Sequence, residues 1–299
     1  MRAQTAYIQH VMEREPFPSL ELGTSEAIAA KFLKQAEIRD TRRSLTHLEH
    51  IARRFSVFPY ENLSKIIKWH RLDGRIDFRM PDEVFNDHSR WQFGGTCFSL
   101  TYYLLEILTL CGYSVQPVMG DMKWGKNVHC AVLVDLDNTS YLVDPGYLIH
   151  RPLSLSKDMN TRHLTPHSGI EIRFVPEKER FDLFTFRNGQ FTWRYRFVPE
   201  PVSMDEFARH WIKSFTMPTM NGVCLTRTDG DEMTYIHNDF VKITRPDEVT
   251  RKRSYDISEK IILQKFGIPL EMLEEARYAL RENLKRQTEV IAPDEASTA

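Results

Sequence analysis

Gly112 separates two kinds of sequence. Upstream, apolar residues recur at the helical period: SLTHLEHIARRF puts Leu45, Leu48, Ile51 and Phe55 on one face, and TSEAIAAKFLKQAEIR begins with a capping signal at Thr24 or Ser25. Downstream come short β-branched or aromatic runs broken by turn residues: YSVQPVM, VHCAVLV, SYLVDPGY, IEIRFVP and LFTFRNGQFTWRYRF, with Asn188-Gly189 as a hairpin signal. After Pro199 and Pro201 the pattern is mixed, with a helix near SMDEFARHWIKSF, a hairpin around Asp229-Gly230 and a charged helix from Leu270 to about Glu289. Helices first, strands second and a mixture last indicate an α+β chain. Its 299 residues divide into a helical region (residues 1–112), a β-rich region (residues 113–200) and an α/β region (residues 201–299).

A net charge of −1 gives no electrostatic reason to expect nucleic acid or an anionic membrane as partner, which leaves small molecules or proteins. The N-terminal MRAQTAYIQHVMEREPF has no apolar leader region and no run is long enough to span a bilayer, so a cytoplasmic location is expected. There the thiols of Cys97, Cys111, Cys130 and Cys224 stay free, and no CxxC spacing suggests zinc. Pro166 between His163 and His167 argues against a shared helix face for a metal, so no metal is expected. The tail IAPDEASTA reads as frayed.

One cysteine stands apart. In FGGTCFSLTYYLLEILTLCG, residues 93–112, Leu100, Leu104, Ile107, Leu108 and Cys111 recur at the helical period, Thr96 is placed to cap and Gly112 to stop the helix. Cys97 then occupies the first helical position, where free backbone N–H groups and the positive end of the helix dipole favour a thiolate. Gly94 and Gly95 permit close backbone approach. Further on, NVHCAVLVDLDNTSYLVDPGY reads as two antiparallel strands about a four-residue turn, Asp135 to Asn138, a register that sets His129 directly opposite Asp144. A thiol, an imidazole to take its proton and a carboxylate to orient that imidazole are what nucleophilic acyl transfer requires.

These residues resemble the arylamine N-acetyltransferases. The resemblance is carried by Phe93-Gly94-Gly95-Thr96-Cys97-Phe98, Pro59-Tyr60-Glu61-Asn62-Leu63, Val128-His129 and Asp144-Pro145-Gly146-Tyr147, and extends to FTWRYRFVPEPVSMDEF, covering roughly residues 20 to 280. It implies a three-domain fold of helical bundle, β-barrel and α/β lid with a cysteine-protease-like Cys-His-Asp core, and Cys97, His129 and Asp144 as catalytic residues. It implies a ping-pong cycle in which acetyl-CoA acetylates Cys97, coenzyme A leaves, and an arylamine, arylhydrazine or arylhydroxylamine takes the acetyl group, as in xenobiotic metabolism. By the same analogy Tyr60, Thr96 and Tyr147 line the acceptor pocket. No residue is assigned to coenzyme A, although Arg251-Lys252-Arg253 could meet its phosphates or be a solvated charge run.

The chain departs from the family pattern in three places. Phe93 stands where the motif has arginine and Ser99 where it has an acidic residue, so a charged pair near the helix start is expected to be missing at both ends, which strands neither charge. Pro145 replaces a small residue and fixes φ in the aspartate loop. Trp193, Tyr195 and Phe197 alternate on one strand face as core. Two other functions fit the same residues: a triad thiol hydrolase or transglutaminase-like enzyme, and a low-activity family member that only binds.

Overall fold

The structure, a computed structural model, describes residues 19–289. The N-terminal stretch MRAQTAYIQHVMEREPF and the tail IAPDEASTA lie outside the described residues. Helix α5 (Cys97–Leu110) is the element around which the rest is arranged. All its residues from Cys97 to Leu108 are buried, so the single apolar stripe expected from the sequence is in fact a helix enclosed on every side. Leu100, Leu104, Ile107 and Leu108 pack with Ile28 and Phe32 of α1 (Glu26–Gln35) and Leu48 and Ile51 of α2 (Leu45–Phe55). Phe98 and Tyr102 pack against Phe207 and Trp211 of α6 (Met204–Lys213). Each such side chain contributes about 1.5–3 kcal/mol by leaving water. Ser25, at the N-cap of α1, makes no side-chain cap bond. Instead the buried Glu106 of α5 accepts the N–H groups of Gly23 (3.1 Å) and Ser25 (3.0 Å) at that end. Gly112 ends α5 with φ +76°, as its position predicts.

Eight strands follow as a nearly closed antiparallel barrel, in the order β5-β4-β3-β2-β9-β8-β7-β6. They are β2 (Ser114–Met122), β3 (Gly125–Leu136), β4 (Thr139–Val143), β5 (Leu153–Ser154), β6 (Thr161–Leu164), β7 (Gly169–Val175), β8 (Arg180–Arg187) and β9 (Gln190–Phe197). The gap between β5 and β6 is bridged by Thr161, whose hydroxyl donates to Ser154 O at 2.6 Å. Asn188-Gly189 forms the expected hairpin, Arg187 pairing with Gln190.

A five-stranded sheet, β1-β10-β11-β12-β13, closes the molecule. Its first strand, β1 (Tyr60–Glu61), comes from the helical region and pairs with β10 (Cys224–Asp229). The others are β11 (Glu232–His237), β12 (Phe240–Thr244) and β13 (Val249–Arg253), followed by α7 (Tyr255–Ile261) and α8 (Leu270–Glu289). Asn62 fastens distant segments of the chain together: its Nδ2 donates to Gly222 O (2.7 Å) and Thr219 O (2.9 Å), and its Oδ1 accepts Cys224 N–H at 2.8 Å. Leu63 and Ile67 of α3 (Leu63–Arg71) share a core with Leu225, Ile236 and Leu273. Among the described residues no helix is long and apolar enough to cross a membrane.

Candidate active site

The start of α5 is held by backbone. Gly95 N–H donates to Pro59 O (3.2 Å), and Gly95 O accepts Glu61 N–H (3.0 Å). A Cβ on Gly94 would lie 1.9 Å from Pro59 O, so the approach there demands glycine, while one on Gly95 would lie 2.3 Å from Ser99 Oγ and force that hydroxyl to turn away. Gly94→Ala is expected to cost about 3 kcal/mol, because the obstacle is main chain and cannot rotate away. Urea unfolding measures it; a loss under about 0.5 kcal/mol would mean that the segment shifts freely. Cys97 is the first helical residue, as the sequence predicts, and Thr96 is the N-cap, but the Thr96 side chain makes no cap hydrogen bond. Thr96 lines a cavity together with Cys97.

The motif's charged pair is missing as expected, and the fold brings a different cation to this helix start. Arg79, 4% exposed, comes from the segment before α4 (Pro81–Trp91) and donates from Nη1 to Gly94 O (2.9 Å) and to Ser64 Oγ. The same nitrogen lies 3.6 Å from Glu61 Oε1, and Nη2 lies 2.7 Å from Asp87 Oδ2. Phe93 and Ser99 do remove a charged pair from the motif itself, but a guanidinium from elsewhere in the chain still ties Glu61 to the glycine loop. Burial raises the Glu61 carboxyl above its usual range, with Arg79 opposing.

His129 and Asp144 meet, but not through the register expected. The turn has two residues, not four: Asp137 (φ 49°) and Asn138 (φ 61°), with Leu136 paired to Thr139. Two consecutive positive φ values suit a tight hairpin, and Asp and Asn tolerate them. Val143 therefore faces Val132, and His129 pairs with Gly120 on the other side of β3. Asp144 lies just past the end of β4 in a turn closed by its own side chain, Oδ1 accepting Tyr147 N–H at 2.9 Å. That turn brings Oδ2 to 2.8 Å from His129 Nε2. The same oxygen accepts the Tyr195 hydroxyl at 2.6 Å. Gly146 runs alongside; a Cβ there would be 2.6 Å from Cys97 Cβ and 3.1 Å from His129 Cε1, so thiol and ring are neighbours across it. Cys97 and His129 act on each other's protonation across Gly146, and with Nε2 given to Asp144 the ring nitrogen left to face sulfur is Nδ1.

Tyr195 is buried, as strand alternation predicts, yet it is also a ligand of Asp144. The predicted alternation of Trp193, Tyr195 and Phe197 fails at a β-bulge. Leu183 pairs with Tyr195 but its neighbour Phe184 pairs with Trp193, leaving Arg194 as the extra residue and turning Trp193 to the opposite face. The bulge gives Arg194 to the cavity.

A family model described as N-acetyltransferase matches residues 44–275. The chain belongs to the N-acetyltransferase family. Its fold is that of the solved arylamine N-acetyltransferases. The one from Mycobacterium abscessus is 15% identical, with a TM-score of 0.71 over 88% of this chain and 99% of that one. The Nocardia farcinica structure is 17% identical, with a TM-score of 0.70 over 88% and 97%. A Bacillus cereus structure, described as having a unique Cys-His-Glu catalytic triad, is 19% identical with a TM-score of 0.63 over 81% and 98%. Comparison with curated protein sequences gives no match.

In this N-acetyltransferase the Cys97 thiol is lowered to about 5. The largest cause is the neighbouring Cys130 thiol; burial opposes it, and His129 and the charge of Lys65 add to it. Cys130 itself is held well above the thiol range by burial and by Cys97. Burial alone would lower the His129 imidazole, but the charge and hydrogen bond of Asp144, with Cys97 adding, raise it to about 10. Thiolate and imidazolium therefore coexist between those values. Lys65, on α3, is pushed down to about 7 by burial against the pull of the two sulfurs. Sequence reasoning missed Cys130, Tyr195, Lys65 and Arg79; the one local signal was a lysine amid the apolar Leu63, Ile66 and Ile67.

Cys97 and His129 open onto a cavity of about 920 Å³, which Tyr60, Thr96 and Tyr147 also line. Its size suits a substrate of cofactor dimensions. The Tyr147 ring stands edge-on to His129 at 5.2 Å. No Asp or Glu lines the cavity, whereas Lys65, Arg187, Arg194, Lys242 and Arg251 do. Of the Arg251-Lys252-Arg253 run only Arg251 reaches it; Arg253 pairs with Asp239 at 3.2 Å. His167 lines it too, and among the described residues no His, Cys, Asp or Glu cluster could hold a metal.

Proposed function

We propose that this N-acetyltransferase is an acetyl-CoA-dependent arylamine N-acetyltransferase that works through a Cys97 thioester, with His129 as acid and base and Asp144 as the group that orients it. The observation that carries the reading is Cys97 and His129 set side by side across Gly146, the far nitrogen of the ring 2.8 Å from a fully buried carboxylate, at the wall of a ligand-sized cavity. The Cys97 thiolate attacks the acetyl carbonyl, a C–S bond forms, and the coenzyme A sulfur leaves with the proton of the imidazolium. An aromatic amine, neutral at pH 7, then attacks the thioester, gives a proton to His129 and releases the thiolate. Atoms and charge return to the starting state.

Coenzyme A brings several phosphate charges, and the cavity is built for anions. Arg194, Lys242 and Arg251 have no carboxylate partner among the described residues, and with Arg187 they lie close enough together to depress the Lys242 ammonium, after burial. Since the chain has 40 basic and 41 acidic residues, that local excess belongs to the cavity. Tyr60, Thr96 and Tyr147 are read as the acceptor's surroundings, and the division at residues 112 and 200 as that of bundle, barrel and lid. Intact mass spectrometry tests the cycle: incubation with acetyl-CoA adds one acetyl group to the wild type and none to Cys97→Ser. No adduct anywhere between about pH 6 and 9 would favour a thiol hydrolase on the same triad.

A further inference from the structure

Cys130 is a second thiol beside the nucleophile, and the acyl-transfer cycle makes no bond to it. It follows His129 on β3 and so points to the opposite face of the strand, toward α5. There it is fully buried and shares a packed cluster with Cys97, Phe98 and Tyr102. Its Sγ donates to Thr101 Oγ1 at 3.6 Å, and that hydroxyl donates back to Cys130 O at 3.4 Å. Thr101 comes one helical turn after Cys97, so the two side chains stand on one face of α5, with Cβ atoms about 5–6 Å apart. Helical side chains lean toward the N-terminus, which carries the ground Thr101 covers toward Cys97. In keeping with this, each thiol acts on the other's protonation. The two differ in access. Cys97 is 8% exposed and lines the cavity, whereas Cys130 is sealed from it. A small oxidant entering the cavity therefore meets Cys97 and cannot meet Cys130. An accessible thiolate next to a shielded second thiol is the arrangement in which one sulfur is oxidised and the other resolves it.

We propose that Cys97 and Cys130 form a disulfide when a peroxide enters the cavity, so that oxidation closes the nucleophile reversibly. All four cysteines are free in this structure, which is the reduced form. The Cys97 thiolate attacks one peroxide oxygen; an S–O bond forms, the O–O bond breaks and hydroxide leaves. Sulfur is thereby oxidised to a sulfenic acid and the peroxide reduced. The Cys130 sulfur then attacks Cys97 Sγ; the S–S bond forms, the S–O bond breaks, and the departing hydroxide takes the Cys130 proton as water. A thiol reductant restores both cysteines. Without Cys130 the sulfenic acid meets further peroxide and becomes a sulfinic acid, which ordinary thiols do not reduce. The inference needs only the thiolate at Cys97 and is independent of which acyl group or acceptor the site serves.

The test uses the full chain, treated with hydrogen peroxide at about pH 7, quenched in acid, alkylated and digested without reduction. No Lys or Arg separates Cys97 from Cys111, so the digest must also cut after aromatic residues to tell them apart. The expected product is a monomer that has lost two hydrogens, with the Cys97 peptide joined to the Cys130 peptide. Because a disulfide requires Cα atoms within about 7 Å, the link also reads the proximity of the two residues directly. Dithiothreitol is expected to restore iodoacetamide labelling of Cys97 almost fully in the wild type. In Cys130→Ser, Cys97 gains two oxygens instead, and the labelling recovered is expected to fall about tenfold. Cys130→Ala serves in its place should the serine variant fail to fold, and the peptide link in the wild type decides the matter without either. The proposal is overturned if Cys97 resists peroxide, if it is oxidised while Cys130 remains open to alkylation after the quench, or if it joins Cys224 or a second copy of the chain. Equal recovery in wild type and Cys130→Ser overturns it as well. The acetyl adduct on untreated Cys97 is measured alongside. An adduct without the link refutes the disulfide alone, whereas a link without an adduct refutes acyl transfer and leaves the disulfide standing.

Discussion

Asp144→Asn is expected to slow acyl transfer about 10³- to 10⁴-fold while leaving the fold intact. Both carboxylate oxygens act as acceptors: Oδ1 takes Tyr147 N–H, and Oδ2 takes His129 Nε2–H and the Tyr195 hydroxyl. An amide has one acceptor end. With its oxygen toward His129, its NH₂ confronts Tyr147 N–H and the turn that places residue 144 loosens. With its NH₂ toward His129, Nε2 must become the acceptor and the ring proton moves to Nδ1, the nitrogen that should receive the thiol proton. Either arrangement also removes the charge that most raises His129, so burial is opposed by Cys97 alone and the imidazole falls. The imidazolium that helped depress Cys97 is lost, and the acid limb of the rate of Cys97 acylation moves to higher pH. Single-turnover acylation by acetyl-CoA across pH reads both effects. A variant within about tenfold of wild type, with an unmoved acid limb, would remove Asp144 from the mechanism.

How much of this site is legible in the sequence depends on whether the information is local. Cys97 is legible because its surroundings are written in adjacent letters: two glycines, a capping residue and an apolar period that begins immediately after. His129 and Asp144 are paired by a sequence register that is wrong by two residues, since a tight turn at Asp137-Asn138 and a looser one around it have the same turn-forming composition. The pair forms nonetheless because the Asp144 side chain builds its own turn past the end of β4. Tyr195 looks like core because strand alternation is blind to a bulge, which only the partner strand reveals. Arg79 leaves no local signal and Lys65 only a lysine amid apolar neighbours, for a further reason. They reach the site from other elements, and one supplies the cation whose motif position is filled by Phe93. The order of helices, then strands, then a mixture follows from periodicity, whereas the pairing of β1 with β10 joins segments distant in the chain, Tyr60 with Thr226, and leaves no mark in either.

Iodoacetamide is expected to label Cys97 on the order of a hundredfold faster than Cys111 or Cys224 at about pH 6. Reactivity follows the thiolate fraction, reduced in part by the lower nucleophilicity of a more acidic thiol. Cys97, lowered to about 5, is almost fully ionised there, while burial pushes Cys111 up to about 11 and Cys224 to about 12. From about pH 6 upward the Cys97 rate should be flat, since its proton is already gone, and it should fall below about pH 5 as the thiolate is protonated. The other thiols should instead gain about tenfold per pH unit, narrowing the selectivity. Cys130 makes the argument specific to this chain, because its thiol is the largest influence lowering Cys97. In Cys130→Ala the thiolate keeps His129 and Lys65 but loses the influence of that thiol, so the lower edge of the plateau moves to higher pH while its height rises slightly with basicity. Peptide-resolved mass spectrometry at a series of pH values follows each cysteine separately. Slow labelling of all four alike would mean that no thiolate is held at the start of α5, and the chain would then be a binding protein on an acyltransferase fold.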